Sequence, residues 1–373
     1  MAITLIEPNT LSFAGNPIVF QATTDKSLSS DESMLRIKCS ATFQAVDRSG
    51  MQFSTDISQP VENKGTARFN LSDAAQTIIK RIIAEMDMNG SSQFQHIGLY
   101  GSVSCKEVWV KDGSEVEGST VSSSRFYVVP GFFTDFELLT KDNIDLVSIA
   151  TPGEQASRMP TGGRFLYKGE ILIVPTLCIE NRTAQGVLSV NNVSVGTVSP
   201  YLNGMCIDYQ YLKVDYDSDG EFVFNSSLTR PVTGHYRANT NGVHFLRFIN
   251  GFGAIENISV RSKDKLLYEI SGETHSLVQE IGTRPTDRRY ATKSQPSGVY
   301  ELSSGYVPKR WAEWYVQELL TSPRVWIEIG GTWVPALIEA NDECVIYDRS
   351  NPEMPHVDFT LRLAVDGVTG CLW

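Results

Sequence analysis

A chain of 373 residues with 41% hydrophobic and 20% charged residues has the composition of a folded globular protein and the length of two or three domains. Its formal net charge of -11 excludes a general basic surface for nucleic acid, and no stretch approaches the roughly 20 apolar residues of a membrane helix. The six cysteines are scattered without short spacings, which disfavours metal ribbons and redox motifs and favours reduced, packed thiols.

The N-terminus lacks the pattern of a signal peptide. No Lys or Arg precedes Lys26, and the apolar stretches of residues 1–25 are short and broken. We therefore expect synthesis and folding in a cytoplasm, with no signal peptide and no membrane insertion.

Turn chemistry is the strongest structural signal in the chain. Asx-Gly pairs tolerate the positive φ angles of tight hairpin turns, and several of them separate runs rich in Val, Ile, Phe and Tyr. The seven pairs are Asn89-Gly90, Asp112-Gly113, Asn203-Gly204, Asp219-Gly220, Asn241-Gly242, Asn250-Gly251 and Asp366-Gly367. This pattern predicts a mainly β, multidomain protein.

Residues 1–130 predict an N-terminal β-sandwich with one helix. Strands are expected at 34–45 and 123–131, with a hairpin turn at Asp112-Gly113. The helix is expected within residues 70–86, because apolar residues recur there at helical spacing. They are Ala75, Ile78, Ile79, Ile82, Ile83 and Met86. The helix should pack across a sheet edge or an open end of the sandwich.

Residues 131–250 predict a middle β module, because strand and turn patterns alternate there without a long helical period. One loop has the D-x-D-x-D-G opening of a calcium-binding loop. It consists of Asp215, Asp217, Asp219 and Gly220. An EF-hand would need a bidentate Glu where Ser226 stands, and flanking helices. The alternating flanks favour a hairpin turn at residues 218–220, and a cation site stays the alternative.

Residues 251–373 predict a small α+β domain. Pro308 suits a first helical turn and Ser322-Pro323 ends the helix. Between them, residues at helical spacing are Trp311, Trp314, Tyr315, Glu318 and Leu319. A short antiparallel meander of strands follows. The preceding Asn250-Gly251-Phe252-Gly253 step lies between two apolar runs, which raises the alternatives of a ligand loop and a strand-to-strand corner.

The basic residues of this acidic chain concentrate in one polar segment before the helix. They are Arg284, Arg288, Arg289 and Lys293, with Lys309 and Arg310 beyond. One interpretation is a solvated loop. The other is a docking arm that meets an acidic face of a neighbouring copy, because complementary charge steers assembly.

Apart from the D-x-D-x-D-G loop, no stretch of the sequence carries a catalytic or metal-binding signature. The histidines lack metal-ligand spacing, and there is no nucleophile elbow, P-loop or dinucleotide fingerprint. These histidines are His96, His235, His244, His275 and His356. We predict no catalytic residue, metal or cofactor, and hence no enzyme. For the tryptophans crowded in the third unit, core or interface packing is favoured over a carbohydrate platform.

Several blocks of the sequence follow a recurring pattern. They are "LSFAGNPIVFQATT" near the N-terminus and, within 243–365, "LRFINGFGAIENISV", "WYVQELLTSPRVWIEIGGTWVPALI" and "VDFTLRLA". The pattern resembles tail and baseplate-type structural proteins of bacteriophages and prophages of Bacteroidetes bacteria. The resemblance implies ring-forming or tube-associated β modules, a virion location and a C-terminal unit similar to the split barrel of tail tubes. It also favours the corner at Asn250-Gly251, with the glycines serving backbone angle and close approach.

The combined prediction is a non-enzymatic structural component of a phage tail or baseplate. It would assemble with itself, as a ring or another homo-oligomer, and dock neighbouring virion proteins. The alternative is a host-surface carbohydrate-binding protein, which an exposed row of indoles or a cleft in the middle unit would favour. Candidate interface residues are Phe252, Arg284, Arg288, Arg289, Trp311 and Trp314.

Overall fold

The computed structural model is mainly β, as predicted, with several sheets and one closed barrel. It describes residues 3–8, 10–46, 52–84, 97–132, 156–160, 162–178, 181–202, 204–281, 284–340 and 355–364, with the side chains of 178, 263–298 and 340 left undescribed. No helix among these residues has the length and apolar character to cross a membrane.

The N-terminal module consists of two sheets and a helix. Its elements are β1 (Ile3–Ile6), β2 (Leu11–Phe13), β3 (Val19–Thr24), β4 (Glu32–Ala45), β5 (Gln52–Pro60), β6 (Thr66–Asn70), α1 (Ser72–Ala84), β7 (Leu99–Lys111), β8 (Ser114–Ser122) and β9 (Phe126–Val129). One sheet has the order β1-β3-β6, and the other has the order β2-β9-β7-β4-β5 with β8 added to β7.

Two local predictions for this module are confirmed. Asp112 and Gly113 both have positive φ and join the paired strands β7 and β8. The stripe of α1 from Ala75 to Ile83 is buried. Met86 and Asn89-Gly90 lie outside the described residues.

The middle module has one five-stranded sheet and two two-stranded sheets. Its strands are β10 (Arg164–Tyr167), β11 (Ile171–Cys178), β12 (Arg182–Thr183), β13 (Gly186–Val190), β14 (Val193–Val198), β15 (Tyr201–Leu202), β16 (Cys206–Lys213), β17 (Gly220–Ser226) and β18 (Val232–Arg237). The five-stranded sheet has the order β10-β18-β17-β13-β14, β11 pairs with β16, and β12 pairs with β15. A core that includes Phe222, Phe224 and Tyr236 fills this module.

The predicted hairpin at residues 218–220 is wrong. β16 pairs with β11, whereas β17 pairs with β13 and β18, so the loop between them crosses from one sheet to the other. The backbone of Val214 exchanges hydrogen bonds with Gly169 and Glu170, at 2.7 and 2.9 Å, at the start of this crossing. Strand alternation is the same on both sides of a hairpin and of a crossing, so the sequence pattern did not distinguish them.

The C-terminal module is a small closed barrel with a short helix. Its elements are β19 (Val243–Ile249), β20 (Ile255–Ile281), β21 (Arg284–Tyr306), α2 (Lys309–Trp314), a π-helical turn (Tyr315–Leu319), β22 (Val325–Ile329), β23 (Thr332–Ala340) and β24 (His356–Leu363). The strand order is β19-β20-β21-β24-β23-β22. The barrel therefore begins at β19, before the predicted domain start at residue 251.

The polar segment that was interpreted as a solvated loop is a strand instead. Arg284, Arg288, Arg289 and Lys293 all belong to β21, in register with β20. Residues with modest strand propensity can form a ladder when a partner strand supplies the backbone hydrogen bonds. The alternative interpretation, a docking arm, is compatible with this geometry.

Candidate functional site

The Asn250 turn joins β19 to β20 and is a strand-to-strand corner. The backbone N–H of Asn250 donates to Ala254 O at 2.9 Å, and the N–H of Gly253 donates to Asn250 O at 2.8 Å. The Asn250 side chain is buried; its Oδ1 accepts the N–H groups of Phe252 and Ala254, and its Nδ2 donates to Ala156 O at 2.8 Å. The corner thereby contacts the segment that precedes the middle module.

A buried carboxylate holds the corner against the C-terminal helix. Glu318, in the π-helical turn, accepts the N–H of Gly251 at 2.6 Å and Nη1 of Arg158 at 3.0 Å. A Cβ on Gly251 would lie 2.1 Å from that Nη1 atom, so a larger residue here would displace the Arg158 guanidinium from its present position. Arg158 Nη2 donates to Phe132 O at 2.7 Å, which adds the end of the N-terminal module to the same network.

The predicted interface residue Phe252 lies inside the chain. It is 8% exposed, its ring centroid is 5.9 Å from that of Phe13, and the guanidinium of Arg158 lies 4.3 Å from the ring centre. Gly131 has φ +89°, and a Cβ there would lie 2.2 Å from Phe252 Cα. The Phe252 side chain therefore packs between modules of one chain. To contact a neighbouring copy, it would have to move out of this buried position.

A second buried network joins the middle module to the barrel. Arg164 Nη2 donates to Glu170 Oε1 at 3.3 Å and to the backbone oxygen of Asn257 at 3.0 Å. Glu170 also accepts hydrogen bonds from Asn257 Nδ2 and from the Ser259 hydroxyl. All four residues are buried, and Asn257 and Ser259 belong to β20. This buried charge pair hydrogen-bonds residues of β20 and so positions the barrel on the middle module, while Arg164 Nε makes no hydrogen bond within the described part of the chain.

Glu256 is a third buried charged group of this junction. It is 1% exposed, and its Oε2 atom makes no hydrogen bond within the described part of the chain. Burial raises the pKa of this carboxyl to about 7, and Ser157, which hydrogen-bonds it, opposes the shift. Nearby Glu318 raises the pKa further. The junction thus contains a carboxyl that titrates near neutral pH.

The other two predicted aromatic interface residues are also in the core. Trp311 and Trp314 are 2% and 3% exposed and pack edge to face at 5.4 Å. Trp311 Nε1 donates to Gly162 O at 2.7 Å, and this hydrogen bond connects the helix to the residues just before β10. Trp326 is buried too, and Trp109 and Trp333 are partly buried. Among the tryptophans that the structure describes, no exposed row of indoles is present.

A cavity of about 260 Å³ lies between α1, the corner and the end of the π-helical turn. Ile79, Ile83 and Phe132 line its apolar wall, and Glu318 contributes a carboxylate that already holds Gly251 and Arg158. Glu256 does not line it.

The aspartates of the calcium-like loop face cations of the protein. Asp217 forms an ion pair with Lys168, and Asp215 lies 3.5 Å from the same amine. Asp219 pairs with Arg237 at 2.9 Å and accepts the N–H of Ala238. In the described residues, no group of three or more His, Cys, Asp or Glu side chains is arranged to hold a metal ion.

The long hairpin of β20 and β21 extends beyond the rest of the barrel. β20 pairs with β19 up to Arg261, and β21 pairs with β24 from Val299 onward. Residues 268–281 and 284–298, called the arm below, pair only with each other among the described strands. At about 3.3 Å per residue the arm is roughly 45 Å long. Both of its outer edges lack a strand partner in the described part of the chain.

Charge is divided between the two strands of the arm. The β20 strand of the arm contains three acidic residues and no Lys or Arg: Glu269, Glu273 and Glu280. The β21 strand contains four basic residues, Arg284, Arg288, Arg289 and Lys293, and one acidic residue, Asp287. One edge of the arm is therefore acidic and the other is basic. The arm contains all three predicted basic interface residues.

Comparisons with known proteins add no functional assignment. No protein-family model matches the chain, and no curated protein is similar to it. A similar solved structure is the Salmonella enterica SafA pilin in complex with the SafB chaperone. Identity is 10% and the TM-score is 0.20, over 63% of this chain and 95% of that chain. A TM-score this low supports no inference about function.

Sequence reasoning missed most of the junction. Arg158, Arg164, Glu170 and Glu256 lie far apart in the chain and carry no motif. The one available signal was the glycine-rich corner next to Asn250, whose side chain is buried despite its polarity. The arm was missed as a ribbon because its residues are polar and Pro285 and Pro296 interrupt the strand pattern.

Proposed function

We propose that this protein is a non-catalytic structural subunit that assembles with copies of itself through the arm. One observation carries the proposal: a ribbon roughly 45 Å long leaves the barrel with two unpaired edges in the described structure. An isolated two-stranded hairpin is only marginally stable in water, and free strand edges are templates for pairing with another chain. A second copy supplies such a partner.

The remainder of the chain supports this role as a scaffold. Three deeply buried ionisable groups, Arg164, Glu170 and Glu318, hydrogen-bond other parts of the same chain at the junction. They hold the modules together and orient the barrel from which the arm leaves. Because the modules are joined at the junction, a neighbour bound to the arm would be held in a fixed orientation relative to the whole subunit.

The assembly that the sequence resemblance indicates is a phage tail or baseplate. In that setting the protein would form a ring or another homo-oligomer and dock neighbouring tail proteins. Reduced thiols are compatible with cytoplasmic synthesis, and the cysteines Cys39, Cys105 and Cys206 are buried thiols.

The test removes the arm without disturbing the barrel. Leu267 and Val299 are opposite in register, so an Asn-Gly pair can close β20 on β21 when residues 268–298 are deleted. Light scattering across a concentration series should show an oligomer for the full chain and a monomer for the deletion variant, with unchanged thermal unfolding. A full chain that stays at 41.4 kDa under every condition contradicts self-assembly.

A further inference from the structure

The two edges of the arm differ in charge, and this difference selects among the ways in which two arms can pair. A two-fold arrangement joins identical edges. It would place the three glutamates of one β20 strand beside those of another, or the four basic residues of one β21 strand beside their copies. Like charges opposite each other destabilise a strand pair, whereas unlike charges stabilise it.

We infer that the β20 edge of one arm pairs with the β21 edge of the arm of the next copy. This inference rests on the proposed role of the arm and specifies its partner. The two strands run in opposite directions within a hairpin, so arms that point the same way pair in antiparallel order. The contact is head-to-tail, and its repetition produces a ring if the rotation closes and a filament if it does not.

The register of the arm fits this pairing. Glu273 is directly opposite Lys293 within one arm, so the two residues lie at the same level along the ribbon. A neighbouring arm at that level therefore brings its Lys293 beside this Glu273. Pro285 and Pro296 have no N–H group, and the stretch between them keeps every backbone donor. That stretch contains Arg288, Arg289 and Lys293, so the region able to pair is also the basic region.

Two charge-reversal variants test the inference. The acidic-arm variant carries Arg284→Glu, Arg288→Glu, Arg289→Glu and Lys293→Glu, and the basic-arm variant carries Glu269→Lys, Glu273→Lys and Glu280→Lys. Each has two edges of one sign. By light scattering at low salt, each alone should associate at least about tenfold more weakly than the wild type. An equimolar mixture should assemble again, and native mass spectrometry should show the two variants in equal numbers in each closed particle, because they must alternate.

A third variant excludes misfolding as the reason for lost assembly. It carries both sets of substitutions, so its edges are again opposite in sign, and it should assemble alone as the wild type does. As a control for net charge, the same measurement uses Lys38→Glu, Lys111→Glu and Lys168→Glu, at side chains that are 39% to 45% exposed, together with Lys213→Glu at an exposed position. This control should retain assembly.

The outcomes separate this inference from the proposed function. If the basic-arm variant assembles alone as well as the wild type, the arm docks on an acidic body surface and edge pairing is overturned. A mixture that stays dissociated, or a doubly reversed variant that does, also overturns it. An arm-deleted chain that still assembles overturns the proposed function itself.

Discussion

β20 passes through two contrasting environments. At its start, Glu256 and Asn257 are buried between the barrel and the middle module, and Asn257 bonds Arg164 and Glu170. At its end, residues 268–281 pair with β21 alone among the described strands. The same strand therefore contributes to internal stability in one half and, in the proposed assembly, to the contact with a neighbouring copy in the other. The buried polar network and an apolar core shared by the modules hold them to each other, whereas strand pairing between modules is limited to an isolated bridge of Ile97 with Ile207 among the described residues.

The strongest test of this contrast removes one partner of the junction network. Arg164→Ala leaves Glu170 buried without its cation, and breaking a buried ion pair costs about 3–5 kcal/mol of unfolding free energy. Urea denaturation measures this loss. The matched control, Arg237→Ala, breaks an exposed pair with Asp219 and should cost at most about 1 kcal/mol. Equal effects at the two sites would contradict the importance of burial.

The next test uses the titration of Glu256. Its folded pKa of about 7 lies above the ordinary value of 4.5, so the folded state binds the proton more tightly than the unfolded state. Stability should therefore fall as pH rises from 4.5 to 7 and stay low above pH 7. The loss is on the order of 3 kcal/mol, from about 1.4 kcal/mol per pKa unit.

Glu256→Gln checks this pH dependence because the amide does not titrate. The unfolding free energy of this variant, measured at intervals from pH 5 to pH 8, should lack the decrease of about 3 kcal/mol expected for the wild type over this range. Glu221→Gln, at an exposed position, is the control and should retain the wild-type slope. An unchanged slope in Glu256→Gln would show that this carboxyl is not the titrating group.

The smallest effect is expected in the arm. Arg288→Ala combined with Arg289→Ala should change the unfolding free energy of the monomer by no more than about 0.5 kcal/mol, as for most surface substitutions. The measurement must be made at concentrations below those at which the chain associates, because association stabilises the folded state. If the unfolding free energy fell by several kcal/mol, the arm would contribute to the stability of its own chain as the junction does. The difference between the two regions would then be contradicted.

Local features were predictable to the extent that their cause is local. The turn at Asp112-Gly113 follows from backbone angles that these residues tolerate, and the stripe of α1 follows from helical spacing. The hairpin predicted at residues 218–220 failed because alternation reports strands but not their partners. Phe252 and Trp311 were recognised as aromatic anchors, but an aromatic residue has the same sequence signal in a core and at an interface.

The sequence by itself determined the strand-rich class, the corner at Asn250-Gly251 and the basic character of residues 284–293. These properties depend on composition, backbone preference and periodicity within a few residues. Only the tertiary structure decided the closure of the barrel, the meeting of Arg158 with Glu318 and of Arg164 with Glu170, and the extension of β20 and β21 as an arm. Each of these depends on which distant segments pair, and that choice is made by the packing of the whole chain.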